Sequence, residues 1–292
     1  MVDKKSFTYA SDDHNFFQRL FIRLIEHLTG KWKIWRLYNE YQLENRRAGE
    51  TFWDAAVRKL DLSVQYDRKK LDEIPKSGAL VVVANHPYGV LDGLILNMLM
   101  SKVRTDYKVL TNSVLCQAEE TKDYLLEVDF SGTEAALEKN LETRKAAREL
   151  LKNGGAIAVF PAGGVSTISS WKDKVAQDTQ WQTFVAALVQ SSQATVVPVF
   201  FEGQNSRLFQ WASLCSQTLR LALIFKEVAD KIGWTIGVRI GTPVPFLKLE
   251  HLKDRSELCH YLRTMTYKLG GMATLPAPKA AFRISGVSRG MS

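Results

Sequence analysis

From Gly49 onward, short apolar runs alternate with stretches of helical periodicity, and this alternation constrains the fold of the 292-residue chain more than any other feature. Strands are predicted at 62–66, 80–84, 107–110, 125–128, 156–160, 195–200 and 234–240. Helices are predicted at 91–101, 133–152, 180–190 and 254–268, with a further helical stretch, open to a break, over 207–229. Strands that alternate with helices build an α/β fold: a mostly parallel central sheet flanked by helices. The runs Leu80–Ala84 and Ala156–Phe160 are apolar without interruption, as expected of central strands covered on both faces. The helix over 133–152 is bounded by Ser131-Gly132-Thr133 before it and Asn153-Gly154-Gly155 after it.

Residues 1–50 have a different character. Phe16, Phe17, Leu20, Phe21, Leu24, Ile25 and Leu28 recur at helical spacing, with Arg19, Arg23 and Glu26 between them. Gly30 ends that helix. A second run follows, with Trp32, Trp35, Leu37, Tyr38 and Tyr41 among Lys31, Lys33 and Arg36. Together they read as an N-terminal amphipathic helical hairpin. Periodicity alone is compatible with a hairpin capping the core or one lying in a lipid headgroup boundary. Residues 51–270 form the α/β domain. Residues 271–292 read as a flexible basic tail, with Lys279, Arg283 and Arg289 and no acid.

Net charge is +8, which favours anionic partners of several kinds: nucleic acid, lipid headgroups, CoA phosphates or an acidic carrier protein. Cys116, Cys215 and Cys259 have no metal-ligand spacing and read as small apolar residues. Residues 1–15 lack the apolar segment of a signal peptide, and no uniform 18-residue apolar run occurs. The longest uncharged stretch, Thr179 to Phe201, contains Gln182, Gln190, Gln193 and Pro198 and reads as a helix, a turn and a strand. The chain is therefore expected to lie on a membrane rather than cross it.

The segment with the most chemistry is Val81-Val-Val-Ala-Asn85-His86-Pro87-Tyr88-Gly89-Val90-Leu91-Asp92-Gly93. A buried strand runs into Asn85-His86, and functional groups of α/β sheets gather at the carboxyl ends of strands. On one continuous helix His86 and Asp92 would be turned about 600° apart and so lie on different faces. They meet only if the Pro87–Leu91 loop folds back between strand and helix. A carboxylate placed there holds an imidazole in one tautomer and stabilises its cation. The residues alone leave open a histidine that caps a turn and an aspartate that caps the helix. In a second block, Phe160-Pro161-Ala162-Gly163-Gly164-Val165-Ser166, the two glycines allow close backbone approach. Their N–H groups, with Ser166, could bind an anionic or carbonyl oxygen. A third block, Val197 to Arg207, ends in a polar cluster in which Asn205 and Arg207 are candidates for headgroup contact, although Ser206 would equally cap a helix. The candidate site is thus His86 and Asp92 as the catalytic pair, with Asn85, Gly163, Gly164, Ser166, Asn205 and Arg207 as substrate or oxyanion contacts. The helix Leu94–Met100 is either a wall of an acyl-chain slot or plain core.

These blocks resemble the glycerolipid acyltransferase superfamily, of lysophosphatidate type, across about residues 60–245. The resemblance implies that His86 deprotonates an acceptor hydroxyl, which attacks the thioester of acyl-CoA or acyl-carrier protein, with Asp92 as its partner. It implies no cofactor beyond that co-substrate. Five residues separate His86 from Asp92, one more than in most of the superfamily. The Asn-His-Pro-x-Gly-x-x-Asp-Gly form resembles a bacterial branch of haemolysin-like and ornithine-lipid-type enzymes. Ala162 and Val165 replace the Glu and Arg of the superfamily's second block, and no Arg follows Val128-Asp129-Phe130 until Arg144. The resemblance implies a lysolipid acceptor of 1-acylglycerol 3-phosphate, lysophospholipid or lyso-ornithine-lipid type. Because a phosphate needs charge-assisted donors to offset its desolvation, the lost arginines point within that range toward a larger headgroup, a lyso-aminolipid or another hydroxyl lipid. Lys108 and Arg207 are candidates to compensate. The expected setting is peripheral, at the cytoplasmic face of the inner membrane, with anionic lipid and the acyl donor as partners and no nucleic acid.

Rival chemistries lack their motifs. A serine hydrolase needs Gly-x-Ser-x-Gly, and the run ending at Ser166 has no closing glycine. The five histidines show no zinc spacing, and neither GxGxxG nor GxxxxGK[ST] occurs. The remaining alternative is a catalytically inactive acyltransferase fold that binds membrane or nucleic acid.

Overall fold

The computed structural model describes residues 8, 10, 15–44, 47–112, 119–128 and 133–272. The basic tail beyond 272, Cys116 and the Asp129-Phe130 pair lie outside the described residues. Seven strands form one sheet in the order β1-β7-β6-β2-β5-β3-β4. They are β1 (Ser63–Tyr66), β2 (Leu80–Ala84), β3 (Tyr107–Asn112), β4 (Leu125–Val128), β5 (Ala156–Val159), β6 (Thr195–Phe201) and β7 (Thr235–Ile240). Every neighbouring pair is parallel except β6 and β7, so β7 and β1 run against the other five. The α/β fold with a mostly parallel sheet and flanking helices is therefore as the sequence predicts.

The central strand β2 lies between β5 and β6, and all five of its residues are buried. Its side chains alternate between two cores, which is why its sequence is apolar without a break. Leu80, Val82 and Ala84 join a core with α3 (Phe52–Lys59), α4 (Arg68–Asp72), α5 (Val90–Val103) and α10 (Ile224–Asp230). Val81 and Val83 join another with α6 (Glu134–Lys152), α7 (Thr183–Ser192) and α11 (Arg255–Leu269). Each fully buried valine or leucine contributes about 1.5–3 kcal/mol, so this strand is a rigid platform for the loop at its carboxyl end. The 207–229 stretch is broken, into α8 (Arg207–Cys215), α9 (Gln217–Ala222) and α10. α3 and α4 lie outside the predicted helices because each spans little more than two turns or fewer, too short to reveal a period.

The N-terminal hairpin is α1 (Phe16–Thr29) and α2 (Lys31–Leu43). Its apolar stripe does not face the protein. Ile22 and Glu26 are fully buried, whereas Phe17 is 79% exposed and Leu28 72%, with Phe16, Leu20, Phe21 and Leu24 also exposed. Buried Glu26 accepts a hydrogen bond from Thr8 Oγ1 at 2.6 Å and lies 3.7 Å from Lys31 Nζ. A helix that only capped the core would bury the stripe and expose the carboxylate. Among the described residues no helix is long and apolar enough to cross a membrane.

Gly30 joins the two helices at φ +140° against α10, where a Cβ would sit 2.7 Å from Ala229 Cβ and 2.9 Å from the Phe225 carbonyl oxygen. Gly30→Ala is therefore expected to destabilise the protein by about 1–3 kcal/mol, read as a lower denaturant midpoint. An unchanged midpoint would mean that the hairpin does not dock on α10.

Candidate active site

The site begins where β2 ends. Asn85 is buried, and both ends of its amide engage Phe201 in β6: Nδ2 donates to the Phe201 carbonyl at 2.9 Å and Oδ1 accepts from the Phe201 N–H at 2.7 Å. This side chain adds one rung to the β2–β6 pairing, so Asn85 is a strand latch rather than the substrate contact expected of it. His86 is next in the chain, and Gly89, at φ +78°, turns the backbone into α5.

Asp92 sits in the first turn of α5 and is fully buried. Its Oδ2 accepts the Tyr88 N–H at 2.7 Å and the Gly89 N–H at 2.9 Å, and it lies 3.1 Å from His86 Nδ1. The loop therefore folds back as the six-residue spacing requires. Burial pushes the Asp92 carboxyl above its ordinary range, while the imidazole and the two amides pull it down. With Nδ1 facing the carboxylate, Nε2 is the nitrogen left for a substrate. The imidazole also stacks on Phe160, with ring centroids 4.0 Å apart and 23° between planes.

The backbone of His86 is held from the other side by Asp178, a residue with no motif to announce it. Asp178 Oδ1 accepts Ser166 Oγ–H at 2.5 Å and the His86 N–H at 3.2 Å, and Oδ2 accepts Trp181 Nε1–H at 2.9 Å. The Asp178 N–H donates to Tyr267 Oη at 2.7 Å, and its carbonyl accepts from Arg263 at 3.0 Å. Burial pushes this carboxyl up too, against the donors from Ser166 and Trp181. The Ser166 N–H donates to the His86 carbonyl at 2.8 Å. Ser166 thus ties the second block to the histidine, and it does not line the cavity, so its expected role as an oxyanion donor is corrected to a positioning one.

A cavity of about 420 Å³ opens over His86 and Phe160. Its walls are mostly apolar, including Val90, Leu110, Val159, Phe184, Leu221 and Ile224, with Asn140, Thr143, Arg144, Gln182 and Arg220 as polar members. This size and this mix suit an amphipathic ligand. Gly163 and Gly164, the residues of the second block expected to contact an oxyanion, line it. The Gly163 N–H closes a turn onto the Phe160 carbonyl at 3.0 Å, whereas the Gly164 N–H has no protein acceptor among the described residues. Of the α5 helix only Val90 and Gly93 reach the cavity; Leu94–Met100 is core.

The third block lies elsewhere. Arg207 is exposed, donates to the Asp173 carbonyl at 3.2 Å and does not line the cavity. Ser206 caps α8, and buried Asn205 is likewise outside the cavity. Tyr88 Oη donates to the Glu202 carbonyl at 2.7 Å, so this segment braces the loop between His86 and Asp92. Lys108 donates to the Asp123 carbonyl away from the cavity. The cations that do line it are Arg144, packed 5.2 Å over the Phe184 ring, and Arg220. Arg220 could not be found by motif, because it lies in a short helix far from both blocks. Among the described residues no three His, Cys, Asp or Glu side chains are grouped so as to hold a metal ion.

A histidine paired with a buried carboxylate, opening on an apolar cavity, is the arrangement of a general base that serves an amphipathic substrate. Comparison with known proteins gives the family of the chain. The acyltransferase family profile matches residues 17–274, and the chain belongs to that family. The lyso-glycine lipid O-acyltransferase of Phocaeicola vulgatus is 23% identical over 277 residues, covering 92% of this chain and 94% of that protein. Its namesake in Bacteroides thetaiotaomicron is 25% identical, covering 92% and 96%. The crystal structure of the 1-acyl-sn-glycerophosphate acyltransferase PlsC from Thermotoga maritima has the same fold, with a TM-score of 0.50 at 15% identity over 90% of this chain and 98% of that one.

Asp178→Ala would leave the buried donors of Ser166, Trp181 and His86 without an acceptor. A loss of about 3 kcal/mol or more in denaturant unfolding is expected, since each such orphan costs about 1–3 kcal/mol. A loss below about 1 kcal/mol would show that these bonds do not organise the site.

Proposed function

We propose that this O-acyltransferase moves a fatty acyl group from a thioester, acyl-CoA or acyl-carrier protein, to a hydroxyl of a lysolipid at a membrane surface. The observation that carries the reading is the His86–Asp92 pair at the floor of the apolar cavity. His86 Nε2 takes the proton of the acceptor hydroxyl as its oxygen attacks the thioester carbonyl. Asp92 holds the imidazole through Nδ1 and stabilises the imidazolium. The carbonyl oxygen gains negative charge, which the Gly164 N–H is free to receive. The C–S bond then breaks, and the imidazolium returns its proton to the departing thiolate. Transfer is direct, with no acyl-enzyme, metal or cofactor.

The acceptor we favour is a lysolipid with an amino-acid headgroup. Two relatives named for a lyso-glycine lipid support this, as does the loss of the superfamily arginine at Val165. A glycine joined to a chain through its nitrogen keeps its carboxylate but has no hydroxyl, so the oxygen that is acylated would belong to the chain. The protein would reach such lipids as a peripheral protein at the cytoplasmic face of the bacterial inner membrane. Outward-facing Phe16, Phe17, Leu20, Phe21, Leu24 and Leu28 suit the acyl boundary, and the net charge of +8 suits anionic headgroups.

Purified protein given acyl-CoA or acyl-carrier protein and an N-(3-hydroxyacyl)glycine in phosphatidylglycerol vesicles should form the diacylated product, detected by mass spectrometry. His86→Ala should lower the rate about 10²–10⁴-fold while vesicle binding persists, and Asp92→Asn should slow transfer without unfolding the chain. Absence of product with every donor and lysolipid, or near-normal rates in His86→Ala, would overturn the proposal.

A further inference from the structure

The cavity contains a cation that none of the sequence blocks accounts for. Arg220 projects from α9 into the wall beside the second block, where a Cβ on Gly164 would lie 2.9 Å from its Nη2. A larger residue at position 164 would shift the guanidinium, the mobile end of the Arg220 side chain, from its place. Val165, next in the chain, packs on the catalytic loop, with its Cγ2 3.1 Å from where a Cβ on Gly89 would be. A single loop thus links Arg220 to the turn that carries His86 and Asp92.

Among the described residues no carboxylate, carbonyl or aromatic ring engages the Arg220 guanidinium. The contrast with the other buried or half-buried cations is informative. Lys231 pairs with Glu227 at 2.7 Å and Arg104 with Asp106 at 2.6 Å. Arg263 has no carboxylate partner among the described residues, but one of its nitrogens donates to the Asp178 carbonyl and its guanidinium lies 4.9 Å over the Tyr267 ring. A half-buried guanidinium, whose burial pushes its pKa down, is costly to hold without a counter-anion. Here the position facing it is open cavity. The other cation of the cavity, Arg144, is exposed and covers the Phe184 ring.

We propose that Arg220 is the anion-binding residue of the acceptor subsite, and that the anion it takes is a carboxylate of the lysolipid headgroup. The proposal rests on the acyl-transfer reading and names the recognition element that reading lacks. One planar guanidinium matches one carboxylate with two parallel hydrogen bonds and a single opposite charge. A phosphate monoester carries more charge than one arginine neutralises, and the superfamily arginine that would share the load is Val165 in this chain. The mostly apolar wall suits an acyl chain while the headgroup is fixed near His86. Arg220 thus acts in specificity and positioning, as a residue that touches substrate without exchanging a proton with it.

Two measurements on the full-length chain test this. The first is equilibrium binding of N-palmitoylglycine, which has no hydroxyl to acylate, and of its uncharged methyl ester. Arg220→Gln should weaken binding of the acid about tenfold or more, bring acid and ester to similar affinity, and leave Arg220→Lys in between. Gly164→Ala should weaken acid binding in the same direction by crowding the guanidinium. The second is turnover with N-(3-hydroxyacyl)glycine, its methyl ester and 1-acylglycerol 3-phosphate as acceptors. Arg220→Gln should raise KM for the acid about tenfold with kcat within about threefold and the donor's KM unchanged. A rise in the donor's KM would instead assign Arg220 to a donor phosphate. An equal fall in kcat for acid and ester would assign it to the reacting carbonyl, and a preference of the wild type for the phosphate acceptor would exclude a carboxylate site. Each of these overturns the proposal, as does acid binding that ignores the substitution. No turnover alongside Arg220-dependent binding would sink the acyl-transfer reading alone.

Discussion

One buried oxygen organises the site. Asp92 Oδ2 receives two backbone N–H groups from the loop that precedes its own helix and faces the imidazole that begins that loop. A carboxylate with no exposure to water is tolerated only when such donors surround it. The requirement runs in both directions: the loop needs the carboxylate to close, and the carboxylate needs the loop to stay buried. The histidine inherits its orientation from this mutual dependence. The rest of the fold supports it, with β2 supplying a rigid approach, Asn85 latching that strand to β6, and Asp178 fixing the histidine's backbone from the opposite side.

A loop held by two buried carboxylates leaves little freedom around His86, which suits the base proposed for it. In the proposed reaction, positioning of the substrate would fall to the cavity and the membrane surface. The cavity opens between α6, α9 and the ends of the central strands, and α1, whose apolar face looks outward, is docked beside α9. The helix that carries the outward apolar stripe therefore packs beside a helix that lines the cavity, which under the proposed function would give an acyl chain a short path from a bilayer to His86.

Much of this was legible in the residues. The central strands announced themselves because burial on both faces removes polar residues, whereas helix periodicity showed only that His86 and Asp92 need a folded-back Pro87–Leu91 loop to meet, and their pairing was implied by the family resemblance. The reversal of β7 was not legible, since direction in a sheet depends on connections rather than on composition. Asp178 was hidden because its stretch has no period and, apart from nearby Trp181, its partners come from three other segments. Arg220 was hidden for a similar reason: its worth lies in what surrounds it, and its surroundings are distant in sequence. Asn85, Ser166, Asn205 and Arg207 were assigned to substrate from block membership, yet their hydrogen bonds or positions make them parts of the scaffold. Periodicity identified the α1 stripe but not which way it faces, because a helix rotated about its axis has the same period.

The account stands on direct attack by an acceptor that His86 deprotonates. Thiol release from an acyl thioester, followed first without and then with lysolipid, tests this most directly. The account predicts no burst of thiol before the acceptor is added, and then steady release that His86→Ala removes. A burst stoichiometric with the protein in the absence of acceptor would reveal an acyl-enzyme and contradict it.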